Sequence, residues 1–166
     1  MKMKKNIIIN AIMLLLLVVV TSSCKKDQEI GGTAVQTLSG DWYVRVNNTG
    51  AYMALYTFNT SANVATEMWV QSTALKAGTT VIGVKGKVGV DVSNQTFSAT
   101  NTANIATTSS SIPTFSVANG RVITNGTTGP VSKTPTDSIS FDLIVNGVTY
   151  KVEGYHKTGF MLDEQH

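Results

Sequence analysis

From Leu38 onward, apolar and polar residues alternate with a period of two, and Asn, Gly, Ser and Thr separate the alternating runs. That pattern predicts half-buried β-strands joined by turns. The clearest run is DSISFDLIVNGVTYKVEGYH, residues 137–156, in which Ile139, Phe141, Leu143 and Val145 share one face and Ser138, Ser140 and Asp142 the other. Asn146-Gly147 then predicts a two-residue type I′ turn, because both central positions of that turn need positive φ. Val148, Tyr150 and Val152 resume the alternation against Lys151 and Glu153.

A second long run, VIGVKGKVGVDV (81–92), sets Ile82, Val84, Val88 and Val90 opposite Lys85, Lys87 and Asp91. Its Gly83, Gly86 and Gly89 predict bends, bulges or close backbone approach within one strand. Further strands are expected over Asp41 to Val46, Ala51 to Asn59, Glu67 to Gln71, Thr96 to Ala99 and Thr114 to Thr124, with Asn119-Gly120 able to divide the last. No window shows a capped 3.6-residue apolar period. The expected fold is therefore all-β, a small antiparallel barrel of about eight strands, since closure removes exposed edges. A sandwich fits the same strand count. Residues 100–111 and 126–136, rich in Thr, Ser and Gly, are expected as surface or mouth loops.

The N-terminus follows different rules. Lys2, Lys4 and Lys5 precede an apolar run from Ile7 to Val20, broken only by Asn10, and Thr21, Ser22 and Ser23 lead to Cys24. This is the order of an export signal, and a run of 14 positions falls short of the about 20 residues a spanning helix needs. Cys24 is the only cysteine, so no intramolecular disulfide can form. Its position resembles a bacterial lipobox, with Thr21 where Leu is commonest, which implies acylation of the thiol and an outer-membrane lipoprotein. The expected organisation is a signal over 1–23, a lipidated tether over 24–37 and a barrel over 38–166. Loss of the signal removes three of the 13 basic residues and leaves ten against ten acidic ones. A neutral chain without a basic patch argues against nucleic acid as a partner. Lys25 and Lys26 instead suit lipid headgroups beside the anchor.

Candidate chemistry is sparse. Ser138, Asp137 and His156 can be drawn as a triad, yet no G-x-S-x-G elbow occurs, and His156 reads more simply as a strand-end side chain. His166 is terminal and Cys24 acylated, so the ligands for a catalytic zinc are missing, and the pattern calls for no cofactor. Asp163 and Glu164 read as a solvated tail and not a calcium loop. The aromatic residues carry more. Trp42, Tyr52, Tyr56, Phe58, Trp69 and Phe115 are the candidate lining of a ligand cavity, with Tyr52, Tyr56 and Phe58 on one strand face. The same residues would equally fill a core.

Gly40-Asp41-Trp42 resembles the Gly-x-Trp opening of lipocalin-type calycin barrels. A broader resemblance joins LSGDWYV, YTFNT (56–60), EMWV (67–70), TFS (96–98), TDSISF (136–141) and EGYHKTGFMLDE (153–164). In that order they resemble the bacterial lipoprotein family of lipid-binding putative hydrolases. The resemblance implies a calycin-like barrel that holds a lipid or other small apolar ligand at the envelope. Two alternatives stand beside it. One is an accessory or adhesive surface lipoprotein whose filled barrel meets a protein or glycan through its loops; the other is a hydrolase, which the family's name carries and no motif supports.

Overall fold

A computed structural model of the chain describes residues 31–106 and 111–165. The expected signal and Cys24 lie outside the described residues. Gly32–His166 form a unit of their own. Eight of its strands close into a barrel: β1 (Gly40–Val46), β2 (Thr49–Asn59), β3 (Glu67–Ser72), β6 (Val84–Asp91), β7 (Thr96–Ala103), β8 (Thr114–Thr128), β9 (Pro135–Val145) and β10 (Val148–His156). Two short strands, β4 (Lys76–Ala77) and β5 (Thr80–Val81), form a hairpin inserted between β3 and β6. Each barrel strand pairs antiparallel with its neighbours, and β1 closes the ring against β10. Among the described residues, the barrel itself leaves no strand edge unpaired.

Local chemistry sets the connections. Asn146 (φ 50°) and Gly147 (φ 80°) make the expected turn, and Val145 pairs with Val148 across it. Asn47 and Asn48, both at positive φ, do the same between β1 and β2. The run 114–124 is not divided at Asn119-Gly120: β8 continues to Thr128 and absorbs the pair as a bulge, with Ala118 opposite Asp142 but Arg121 opposite Ser140. Asn119 takes up the extra residue at φ 53°. Conversely, the run 81–92 is two strands. Ile82 turns its N–H to the Leu75 carbonyl, and the Gly83 carbonyl accepts from the Asn104 side chain, so neither joins the ladder. β7 outlasts Ala99 and reaches Ala103.

Inward residues follow strand parity. Trp42 opposes Leu55, Val152 opposes Phe141 and Met68 opposes Val88. From Trp42 and Val44 through Val145 and Val152, the buried side chains of the barrel strands that face inward are between 0% and 4% exposed. A void large enough for an acyl chain would leave these walls accessible to water-sized probes, so the interior is filled. Glycine makes part of this filling possible. A Cβ on Gly86 would lie 2.7 Å from the Phe115 ring, and one on Gly120 would lie 2.5 Å from the Phe97 ring. Phe97 closes over a glycine of the adjacent strand β8, and Phe115 reaches across β7 to a glycine of β6.

Candidate functional site

One end of the barrel, where β1 begins and β10 ends, is sealed. A 3-10 turn, Gln36–Leu38, lays Leu38 into the floor, and Val35 before it is also fully buried. The Trp42 indole Nε1 donates to Thr57 Oγ1 (2.8 Å), and that hydroxyl donates to the Leu38 carbonyl (2.6 Å). His156 meets the Trp42 ring edge-on, with centroids 5.1 Å apart. A Cβ on Gly40 would sit 2.4 Å from the His156 ring. The Gly-x-Trp opening thus has a steric cause: glycine leaves room for the imidazole, and tryptophan plugs the floor.

The same geometry separates the drawn triad. His156 lies in the floor with Nδ1 3.0 Å from the Lys157 carbonyl, while the Asp137 carboxylate accepts the Asn125 N–H at 2.8 Å. Ser138 lines an outer-wall cleft with Arg45 and Tyr52.

The six aromatic candidates do not form one lining. Trp42 and Phe115 point inward and are buried. Tyr52, Tyr56, Phe58 and Trp69 stand on the outer wall, half-buried, because Leu55, Thr57, Met68 and Val70 take the inward parity on their strands. Phe58 stacks on Trp69 at 6.5 Å, and the ammonium groups of Lys85 and Lys87 lie 5.9 and 5.7 Å from the Trp69 ring centroid. The Arg45 guanidinium covers Tyr52 at 4.0 Å. These rings with cations over them decorate the wall rather than a cavity. Ala54, between Tyr52 and Tyr56, likewise faces out.

The opposite end is built differently. Asn104 ties the 104–113 connection to the start of β6: its Oδ1 accepts from the Lys85 and Ala106 N–H groups, and its Nδ2 donates to the Gly83 and Ile112 carbonyls. Ile112 and Ala106 are thereby held down over this end. At the same end a cleft of about 530 Å³ opens between the start of β2 and the β4–β5 hairpin. Ala51 and Met53 line one side, Ala74 and Gly78 the other, and Lys76 is the only charged residue of the lining. The Met53 sulfur accepts the Lys76 N–H at 3.2 Å. Buried Leu75 and Ile82 anchor the legs of the hairpin. Two other clefts, of about 500 and 360 Å³, lie on the outer wall among charged side chains such as Arg121 and Glu153. Of these three clefts, the one at the mouth combines small apolar side chains, an adaptable Met and one cation.

Sequence reasoning missed Asn104 inside a Thr/Ser-rich stretch, and it misread Asp163. That carboxylate is buried: Oδ1 accepts from the Val131 and Ser132 N–H groups (both 2.9 Å), and Oδ2 from the Ser132 (2.5 Å) and Thr158 (2.7 Å) hydroxyls. Burial alone would push its carboxyl up, but the donors from Ser132, Thr158 and Val131 outweigh it and hold the group well below the ordinary carboxylate range. The stability it lends is present above the unfolded carboxylate value and lost only as pH falls through that depressed one. A closing segment in which Thr158 precedes Asp163, opposite a Gly-Pro-Val-Ser turn, was the available signal.

Fold and geometry together define a small, closed, up-and-down antiparallel barrel with a packed interior, one plugged end and, at the other end, a mostly apolar cleft between the start of β2 and the β4–β5 hairpin. A family model described as lipid-binding putative hydrolase matches residues 27–161, and the chain belongs to that family. Among curated proteins, none matches the chain.

Proposed function

We propose that this protein is an outer-membrane lipoprotein, anchored through Cys24, whose barrel binds the acyl chain of a lipid at its open mouth and not in a hollow interior. The mouth cleft carries this reading. Its volume falls within the range of small-molecule sites, its walls are Ala51, Met53, Ala74 and Gly78, and Lys76 stands where an anionic headgroup or carboxylate would emerge. Family membership supplies the ligand class. The packed interior favours a second reading, in which the filled barrel is an interaction module for a protein or glycan.

The anchor is tested by labelled palmitate, which should enter the wild type and not Cys24→Ala; equal labelling would remove it from the account. Lipid uptake is tested with a soluble chain beginning at Lys25 and fatty acids of increasing length. Each methylene buried contributes up to about 0.8 kcal/mol, so affinity should climb with chain length until the cleft is full. Ala74→Trp, at an exposed position, should fill the cleft and weaken binding about tenfold with the far-UV spectrum unchanged. Binding that ignores both chain length and this substitution would place the ligand elsewhere. No saturable binding at any length would leave the interaction module as the account.

A further inference from the structure

The chain after β10 makes a short 3-10 turn, Met161–Asp163, beside the β8–β9 connection at the plugged end of the barrel. Phe160, Met161 and Leu162 stand out from it with 50%, 84% and 72% of their surfaces exposed, and Val131 lies alongside at 56%. Three consecutive apolar side chains in water are unfavourable for an isolated monomer and mark a contact surface when they persist.

Here persistence is built in. Asp163 receives its four donors from residues 131, 132 and 158, and its carbonyl accepts the Tyr155 hydroxyl at 3.1 Å. Glu164 accepts the Tyr43 hydroxyl. A Cβ on Gly129 would lie 2.1 Å from the Asp163 carboxylate, so glycine lets the connection close over it. The polar side of the turn is spent on the barrel, and the apolar side is left outward.

Two further observations name the partner. The segment that feeds β1 seals this same end, with Val35 and Leu38 in its floor. Cys24 and Val35 are eleven positions apart, a span of at most about 40 Å when fully extended, so acylation of Cys24 would tether this end within that reach of the bilayer. Lys133 and Lys157 lie close in sequence to Val131 and Phe160, with their ammonium groups on the Pro130 carbonyl and over the Tyr43 ring, cations of a kind that suits anionic headgroups.

We propose that the Phe160–Leu162 turn, with Val131, is a membrane-contact wedge that enters the headgroup and acyl boundary of the bilayer. The wedge fixes orientation: the plugged end faces the membrane and the lipid-binding mouth faces away from it. This contact rests on the envelope placement proposed above, but not on lipid uptake at the mouth.

Among the described residues, the strands, the ladder closure and the core all lie between residues 35 and 163, and the chain beginning at Lys25 keeps all of them. It should co-float with vesicles of phosphatidylethanolamine and phosphatidylglycerol. A Leu162→Trp reporter should shift its emission to the blue on vesicle addition. Met161→Asp combined with Leu162→Asp, at exposed positions that leave the barrel intact, should lower the partition at least about tenfold. Ala74→Trp should float like the wild type while its fatty-acid binding weakens about tenfold, which separates this contact from the mouth. The wedge is overturned if the unaltered chain does not float, if the double variant floats equally well, or if the tip drives self-association that the double variant abolishes.

Discussion

The two tryptophans of this chain occupy opposite sides of the same wall. Trp42, on β1, is 1% exposed, donates its indole N–H to Thr57 and closes the barrel floor. Trp69, on β3, lies outside between Met68 and Val70, stacked on Phe58 beneath two lysines. Residue type does not distinguish them. Parity does: each takes the side dictated by its neighbours at i±2, and a strand with one buried face leaves no freedom to exchange them. The buried ring is held by shape and one satisfied polar atom, whereas the outer ring is held by contact area and by cations that keep their water.

The difference should appear first in stability. Trp42→Ala removes the largest buried side chain at the floor and leaves Thr57 without its donor, so it should cost about 3–5 kcal/mol. Urea unfolding followed by far-UV circular dichroism measures this. A loss below about 1 kcal/mol would mean that the floor collapses onto the space and that the plug is not structural.

A narrower probe changes one atom of the same network. Thr57→Val keeps the shape but removes the hydroxyl that joins the indole to the Leu38 carbonyl, leaving one donor and one acceptor buried and unpaired. About 1–3 kcal/mol should be lost. The loss should vanish when Thr57→Val is introduced into Trp42→Phe, since the indole donor is then already gone, apart from the share owed to Leu38. Fully additive losses in that cycle would show that the two side chains do not act through their shared hydrogen bond.

Much of this was legible in the residues. Alternation marked eight barrel strands, and Asn146-Gly147 marked its turn by the φ it demands. The faces of β9 and β10 followed from Ile139, Phe141 and Leu143 against Ser138, Ser140 and Asp142. The faces of β2 were harder, because both parities are apolar: Met53 and Leu55 compete with Tyr52, Tyr56 and Phe58. Choosing the aromatic set as inward was the error. The neighbouring strands held the answer, since Glu67 and Gln71 share parity with Trp69, and Lys85 and Lys87 lie across from that face. Long-range hydrogen bonding was the part local patterning could not supply. Asn104 and Asp163 look like ordinary loop and tail residues until partners 8 to 32 positions away close on them.

The smallest effect is expected at the outer ring, and there the comparison can fail most cleanly. Trp69→Ala removes one half-buried ring and its stacking on Phe58, with no polar atom stranded in the interior. The cost should be about 1 kcal/mol, near what an aromatic pair contributes beyond its area. Fatty-acid binding by the chain beginning at Lys25 should be unchanged, because Trp69 lies on the outer wall and is not part of the mouth lining. Intrinsic fluorescence of this variant then comes from Trp42 alone, a buried emitter at the plugged end. It should respond little to ligands held at the mouth. If Trp69→Ala instead abolishes saturable binding while leaving the unfolding midpoint nearly in place, the aromatic outer wall is the lipid site and the mouth is not.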